Sequence, residues 1–173
     1  MRLFGLRLLA SSIANTPDNQ GRFGEMKVAS IFHPSFFGQE GQIIINDIRL
    51  TDGVNKYKID HVVLLPYGIF VLETKNISGT IKGREEDEQW KNHNGNFINP
   101  IKQNNIHVQV LENYLHVTGL HSVIVMANSN KPNNLPANIV NLEELKPYIK
   151  SFNKWQKYSE EEIKRIKKQL MLN

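Results

Sequence analysis

The sequence of 173 residues contains no cysteine. This absence excludes disulfide frameworks, thiolate zinc sites and cysteine nucleophiles, and it fits a reducing compartment. We therefore expect a cytoplasmic protein, with membrane association as the alternative. Hydrophobic residues make up 40% of the chain and charged residues 22%, which is ordinary globular usage and gives no support to a disordered or fibrous protein.

Long hydrophobic runs are also missing, since no stretch approaches the roughly 20 apolar residues that cross a bilayer. Residues 1–14 begin basic and end in small residues, as signal peptides do, but Arg7 interrupts the apolar run. Four apolar residues recur at helical spacing: Leu3, Leu6, Ala10 and Ile13. The pattern favours a short amphipathic docking helix, and membrane contact through residues 1–14 is the less favoured alternative.

Several enzyme motifs do not occur. The sequence has no Gly-rich phosphate loop followed by Lys-Ser/Thr, no His-Glu-x-x-His and no Gly-x-Ser-x-Gly, and its histidines lack zinc spacing.

Basic residues exceed acidic ones only mildly, 21 against 17, and the pI is near 9.2. The excess is compatible with nucleic acid as a partner, although much of it falls within 164–168, where a solvated helix face is the alternative.

Hydrophobic periodicity predicts a mixed sheet flanked by helices, an α/β fold of the α+β mixed-sheet kind. The predicted elements are a helix over 22–32, strands over 42–50, 57–65 and 69–75, a helix from 100 to about 117, a strand over 121–127, a weaker strand at 139–140, and helices capped by Asn141 and Ser159. Residues 79–99 are polar and irregular, which predicts a long loop or small strands, with Trp90 closing one end of the core.

The length is that of one domain with a sizeable core. We expect residues 1–20 to form an N-terminal docking segment and residues 21–128 to form the core. Residues 129–173 are then a C-terminal strand and helical extension that packs on the same domain.

One pair of strands carries the candidate chemistry. If the turn at 65–68 closes symmetrically, Asp60 faces Glu73, and Lys75 projects from the same face. Directly opposed side chains have Cβ atoms about 4.5–5.5 Å apart, so the two carboxylates repel each other unless a cation lies between them. Oxygen ligands suit Mg²⁺ or Mn²⁺. A one-residue slip would turn Asp60 away and abolish the site.

Several short motifs in residues 21–117 occur in an order that resembles the nuclease-related domain (NERD) family. They are Gly24-Glu25, Asn46-Asp47, 58–63, 67–76, Ser78-Gly79, Trp90 and 99–104. That family looks like a branch of the PD-(D/E)xK nuclease superfamily. The resemblance implies a restriction-endonuclease-like core, in which a central mixed β-sheet is flanked by helices.

The resemblance also implies roles for individual residues. Asp60 and Glu73 match metal ligands for Mg²⁺ or Mn²⁺, and Lys75 matches the catalytic lysine. Glu25 matches an acidic residue on the first core helix and is a further candidate ligand, although a first-turn acid favoured by the helix dipole is the alternative. Gln103 matches a glutamine on the helix after the active-site strands, with a surface polar residue as the alternative.

The roles of five further residues stay open at this stage. The backbone carbonyl of Thr74 is a candidate metal ligand. Lys58 and His107 are candidate nucleic-acid contacts, with a solvated lysine and a polar residue at the edge of the core as the alternatives. Asp47 matches the family, although a turn role at a strand end would suffice. Strict strand alternation places His61 on the face opposite Asp60, as a core histidine.

The expected function is therefore that of a Mg²⁺- or Mn²⁺-dependent deoxyribonuclease that uses water as nucleophile, with DNA as partner. A non-cleaving module of the same fold that binds nucleic acid or a protein partner is the alternative. Family members are often fused to helicase or kinase domains, which implies a helicase or other DNA-processing protein acting in trans. The sequence leaves homo-oligomerisation open.

Overall fold

A computed structural model describes residues 17–37, 42–129, 131–132 and 134–172. The docking helix predicted within residues 1–14 lies outside the described residues. No helix in the described ranges combines the length and the apolar character needed to cross a membrane.

In these described ranges, twelve elements follow one another in nearly the predicted order. They are α1 (Pro17–Ile31), α2 (Pro34–Phe37), β1 (Ile43–Thr51), β2 (Lys56–Leu65), β3 (Gly68–Lys75), β4 (Gln89–Asn92), β5 (Gly95–Ile98), α3 (Pro100–Leu115), β6 (His121–Met126), β7 (Ile139–Asn141), α4 (Leu142–Lys150) and α5 (Glu160–Leu170). The structure adds the short α2 and resolves the irregular segment into a two-stranded sheet. Helix α1 begins five residues before the predicted start, because a proline is tolerated in a first turn, where its missing N–H has no helical partner.

A five-stranded mixed sheet forms the centre of the molecule, in the order β1-β2-β3-β6-β7. The first three strands are antiparallel, and β3, β6 and β7 are parallel. Helices α3 and α5 pack on one face through Leu111 and Ile166, while α1 and α4 pack on the other through Val28 and Leu145. This mixed α/β architecture confirms the predicted fold class and is consistent with a restriction-endonuclease-like core.

The β2–β3 hairpin has the predicted register. Pairing runs from Leu65 opposite Gly68 to His61 opposite Leu72, which is the symmetric closure that the Pro66–Tyr67 turn predicts. The ladder ends one pair short of Asp60 and Glu73. At that point the Thr74 N–H donates to the Asp60 carboxylate, with 2.9 Å between N and Oδ2. A side chain thus replaces a backbone acceptor where the two strands separate.

Candidate active site

Three of the predicted residues meet at the carboxyl end of β3. The Lys75 ammonium donates to Glu73 Oε1 at 2.7 Å and to Gln103 Oε1 at 2.9 Å. Glu73 and Lys75 share a face because they are two residues apart on a strand. Gln103 reaches them from the first turn of α3. Charge and hydrogen bonding together therefore hold Lys75 in one position beside a carboxylate.

Helix α3 is fixed to the sheet by a buried amide next to Gln103. Asn104 Nδ2 donates to the Val71 carbonyl at 2.8 Å and to Ser122 Oγ at 2.9 Å, so it joins α3 to both β3 and β6. Buried amides are costly unless they find such partners. These hydrogen bonds therefore fix the rotation of α3 about its axis and its position on the sheet. They thereby fix the position of Gln103.

The Glu73 carboxylate is almost completely enclosed, at 3% exposure. Its Oε2 has no hydrogen-bond partner among the described residues. Burial raises the pKa of Glu73 to about 7, although the neighbouring Lys75 acts to lower it. A buried carboxylate oxygen without a donor has the character of a cation ligand, because a bound cation would compensate for the lost hydration.

His107 packs against the same carboxylate from one turn further along α3. Its Nδ1 lies 3.5 Å from Glu73 Oε2, and only 7% of its side chain is exposed. Burial lowers the pKa of His107 to about 4, so the ring is neutral near pH 7. These features favour the core alternative for His107 over a contact with DNA.

A second group surrounds the ammonium of Lys58. Lys58 Nζ lies 2.9 Å from Glu25 Oε1, 3.2 Å from Asp47 Oδ1 and 3.6 Å from Asp60 Oδ1. These carboxylates come from α1, β1 and β2, so one lysine joins three elements. Partial burial acts to lower the pKa of Lys58, but the hydrogen bonds to Glu25 and Asp47 raise it above its ordinary value. The sequence predicted Glu25 and Asp60 as residues of the site and left the role of Asp47 open.

Asp60 is held by both groups of contacts. Its Oδ1 is the atom near Lys58, and its Oδ2 accepts the Thr74 N–H. Burial raises the pKa of Asp60, while the hydrogen bond from Thr74 acts in the opposite direction. The Thr74 N–H therefore faces the site, and the proposed role of its carbonyl as a metal ligand stays a prediction.

Gly24 explains how Glu25 comes to lie over β2. A Cβ at Gly24 would fall inside van der Waals contact with Asn76 Cβ and come within 3.2 Å of Thr74 Cγ2. Only glycine lets α1 approach the end of β3 this closely. The Asn76 amide fixes the crossing by donating to the Gln20 carbonyl. The Gly24-Glu25 pair thus combines a close helix–strand contact with the carboxylate that the contact positions.

The position of His61 departs from strict strand alternation. Ile45 and Ile48 pair with Val62 and Ile59, and all four side chains belong to one hydrophobic cluster although the positions differ by three residues. The change of face occurs at Asp47, whose φ is 53°. A non-glycine residue rarely adopts this left-handed conformation, so no alternation pattern predicts it.

His61 consequently lines a cleft of about 560 Å³ together with Glu25, Asp47 and Lys58. Its Nδ1 is 2.8 Å from Asn46 Oδ1, and its Nε2 has no partner within the described ranges. Burial lowers the pKa of His61 to about 4, which leaves the ring neutral near pH 7. The sequence reasoning assigned His61 only a core role. The Asn46-Asp47 motif was the available signal for this cleft.

In the part of the chain that the structure describes, no three His, Asp or Glu side chains converge as a ready-made metal site. The reason is visible in the contacts: the ammonium of Lys58 already lies among Glu25, Asp47 and Asp60, and that of Lys75 lies on Glu73. The donor set is nevertheless one of carboxylates, which suits a hard divalent cation. A cation would have to displace Lys58 to use Glu25 and Asp60 together.

Comparison with known proteins gives three findings. A family model described as nuclease-related domain (NERD) matches residues 20–127. An uncharacterized protein of Bacillus anthracis is 29% identical over 103 residues, which cover 57% of this chain and 48% of that protein. The chain therefore spans about half the length of the curated relative that it matches. No solved structure gives a significant match.

Proposed function

The chain belongs to the nuclease-related domain family, and on that premise we propose that it is a metal-dependent nuclease that hydrolyses phosphodiester bonds of DNA. The observation that carries the proposal is the contact of Lys75 with both Glu73 and Gln103 at the end of β3. An ammonium fixed beside a buried carboxylate supplies positive charge at a defined point. Phosphoryl transfer depends on such fixed charge, because negative charge develops on the phosphate in the transition state.

Asp60 and Glu73 would hold Mg²⁺ or Mn²⁺, with Glu25 as a further ligand. When bound, the ion would supply Lewis-acid stabilisation of the scissile phosphate and activation of water. The unpartnered Oε2 of Glu73, judged over the described residues, supports this assignment. So does the coupling of Asp60 to the backbone of Thr74, because it holds the carboxylate in a defined orientation.

The chain's own residues then have separate roles. Lys75 would orient the attacking water and balance charge on the phosphate, and Gln103 would hold the Lys75 ammonium in place through its Oε1. His107 would stay neutral against Glu73 and limit the access of bulk water to it. Thr74 would orient Asp60 through its N–H.

Binding of Mn²⁺ and cleavage of plasmid test this proposal together. We expect calorimetry to detect Mn²⁺ binding to the wild-type protein and Mn²⁺- or Mg²⁺-dependent nicking of supercoiled plasmid that EDTA abolishes. The Glu73→Gln variant keeps the shape of the side chain but loses its charge, so its Mn²⁺ affinity should fall roughly tenfold or more. Equal nicking by the wild type and Glu73→Gln would reject the assignment, since it would indicate a contaminating nuclease.

Replacing Lys58 is expected to change the Mn²⁺ affinity in the opposite direction. Lys58→Met removes the cation that lies on Glu25 and Asp60, so Mn²⁺ should bind about tenfold more tightly, which corresponds to two or three exposed ion pairs of about 0.5 kcal/mol each. Calorimetry measures the change, and Lys56→Met, on the same strand, is the control. Unchanged or weaker Mn²⁺ binding would show that Lys58 does not compete with the metal.

The alternative is a non-cleaving module of the same fold that binds nucleic acid. One observation favours it: Lys58 and Lys75 already neutralise the carboxylates. Salt-dependent DNA binding without Mn²⁺ binding and without nicking would support the module over the enzyme.

A further inference from the structure

A large cleft lies beside the candidate active site, and its residues have none of the roles described above. Its volume is about 1320 Å³. It lies between the segment that follows β3, the start of β4 and the loop that follows β6. Its lining is mostly polar, and four basic side chains contribute to it: Lys82, Arg84, Lys91 and Lys131.

Two of these lysines are held side by side by the backbone. Lys82 and Lys91 form an isolated antiparallel bridge, in which each N–H donates to the other residue's carbonyl at 2.9 Å. Residues paired in this way are direct neighbours, and like charges at such positions repel each other. Both side chains are exposed. Neither ammonium has an acidic partner among the residues that the structure describes.

The other charges in the cleft are partly neutralised. Lys131 donates to Glu144 Oε2 at 2.7 Å, and Arg84 has an exposed pairing with Glu86 at 3.8 Å. The lining also includes two acidic residues, Asp87, which accepts the backbone N–H of Arg84 at 2.8 Å, and Glu143. Among the basic residues of the lining, Lys82 and Lys91 therefore have no acidic partner in the described residues, and adjacent unpaired positive charges are complementary to a polyanion.

The wall that carries the pair is anchored to the core. Trp90 of β4 is fully buried in a hydrophobic cluster, and its indole N–H donates to the Arg84 carbonyl at 2.7 Å. Asn99, the cap of α3, donates to the same carbonyl at 3.2 Å and to that of Asp87 at 2.7 Å. The two lysines thus lie on a support that is joined to the helix that carries Gln103.

The cleft also begins where β3 ends. Met126, which lines it, pairs with Lys75 across the β3–β6 ladder, and the Ala127 N–H donates to the Lys75 carbonyl at 3.0 Å. A polymer lying in the cleft would therefore pass next to the strand end that carries Lys75.

We propose that Lys82 and Lys91 bind the phosphate backbone of DNA and guide the strand toward the site at Lys75, an inference that rests on the proposed nuclease function. Each lysine contacts phosphate as a point charge and carries no sequence information. The pair therefore sets affinity and salt dependence without setting sequence preference.

The test compares two double variants of equal charge. We expect Lys82→Ala/Lys91→Ala to weaken binding of a labelled DNA duplex, measured by fluorescence anisotropy in EDTA over a salt series, and to lower the slope of log affinity against log salt by about 2. Lys167→Ala/Lys168→Ala removes two exposed charges from α5, which packs near β1 at the far edge of the sheet, and should leave the slope unchanged.

Two results would overturn the inference: equal slopes for both double variants, or equal displacement of the duplex by polyglutamate at matched charge. Since binding is measured in EDTA, the outcome is separate from cleavage. A lysine-dependent slope without any nicking would keep the binding surface and reject the nuclease. Nicking that is insensitive to the Lys82→Ala/Lys91→Ala change, with equal slopes, would keep the nuclease and reject the surface.

Discussion

Replacing Lys75 with methionine is expected to slow metal-dependent DNA cleavage by about 10²–10³-fold, the typical cost of removing one preorganised charge or donor from a reacting centre. Methionine keeps an unbranched chain but cannot donate to Glu73 and Gln103, which the ammonium contacts at 2.7 and 2.9 Å. Loss of the ammonium also removes the charge that acts to lower the pKa of the buried Glu73. The fold should persist, because a protonated Glu73 leaves no unpaired charge in its buried position.

Single-turnover nicking of supercoiled plasmid in saturating Mn²⁺ measures this effect, with thermal unfolding as the check on the fold. Lys167→Met makes the same chemical change on an exposed face of α5 and should cleave at the wild-type rate. A Lys75→Met protein that folds, binds Mn²⁺ and cleaves as fast as the wild type would remove Lys75 from the mechanism.

The hairpin itself could be predicted because its information is local. The Pro66–Tyr67 turn sets the register, and the register places Asp60 near Glu73 and Lys75. What could not be predicted is where the ladder ends. The Asp60 side chain takes the Thr74 N–H, so a carboxylate enters the backbone pairing. The hydrophobic pattern of the sequence does not predict that a side chain replaces a backbone acceptor.

Helix α3 shows a different limit. Hydrophobic periodicity predicted the helix, which begins after the Asn99 cap and ends within two residues of the predicted end. The buried face, however, includes Asn104 and His107, while Val108 is only partly buried. A polar side chain whose amide N–H groups are satisfied inside the fold, as those of Asn104 are by β3 and β6, looks like a surface residue in the sequence. The rotation of α3 therefore depends on tertiary contacts.

The carboxylates that surround the Lys58 ammonium could be predicted only in part, for a related reason. Glu25 and Asp60 were predicted from the family resemblance, whereas Asp47 joins them because a left-handed residue changes the face of β1 in mid-strand. Lys82 lies outside the seven strands of the described residues and bridges to Lys91 of β4, in a segment whose pattern indicated only a loop or small strands. In both cases, a local departure from regular strand structure positions charged residues whose roles the sequence did not predict.

Asn99 links the helix of the site to the wall of the cleft, and Asn99→Ala is expected to lower the free energy of unfolding by about 3 kcal/mol. Its Oδ1 accepts the Ile101 N–H at 2.9 Å as the cap of α3, and its Nδ2 donates to the carbonyls of Arg84, Glu85 and Asp87. Alanine removes these hydrogen bonds at a fully buried position, and of the three carbonyls that of Arg84 keeps the Trp90 indole N–H as a donor.

Urea denaturation followed by tryptophan fluorescence measures the loss, and Ser159→Ala separates capping from burial. Ser159 caps α5 by accepting the Glu162 N–H at 3.2 Å in an exposed setting, so its replacement should cost about 1 kcal/mol. An Asn99→Ala cost no larger than that of Ser159→Ala would mean that the three carbonyls are stabilised without Asn99. The link between α3 and the wall of the cleft would then depend on other contacts, such as the Lys102 ammonium of α3, which donates to the Glu86 carbonyl at 2.8 Å.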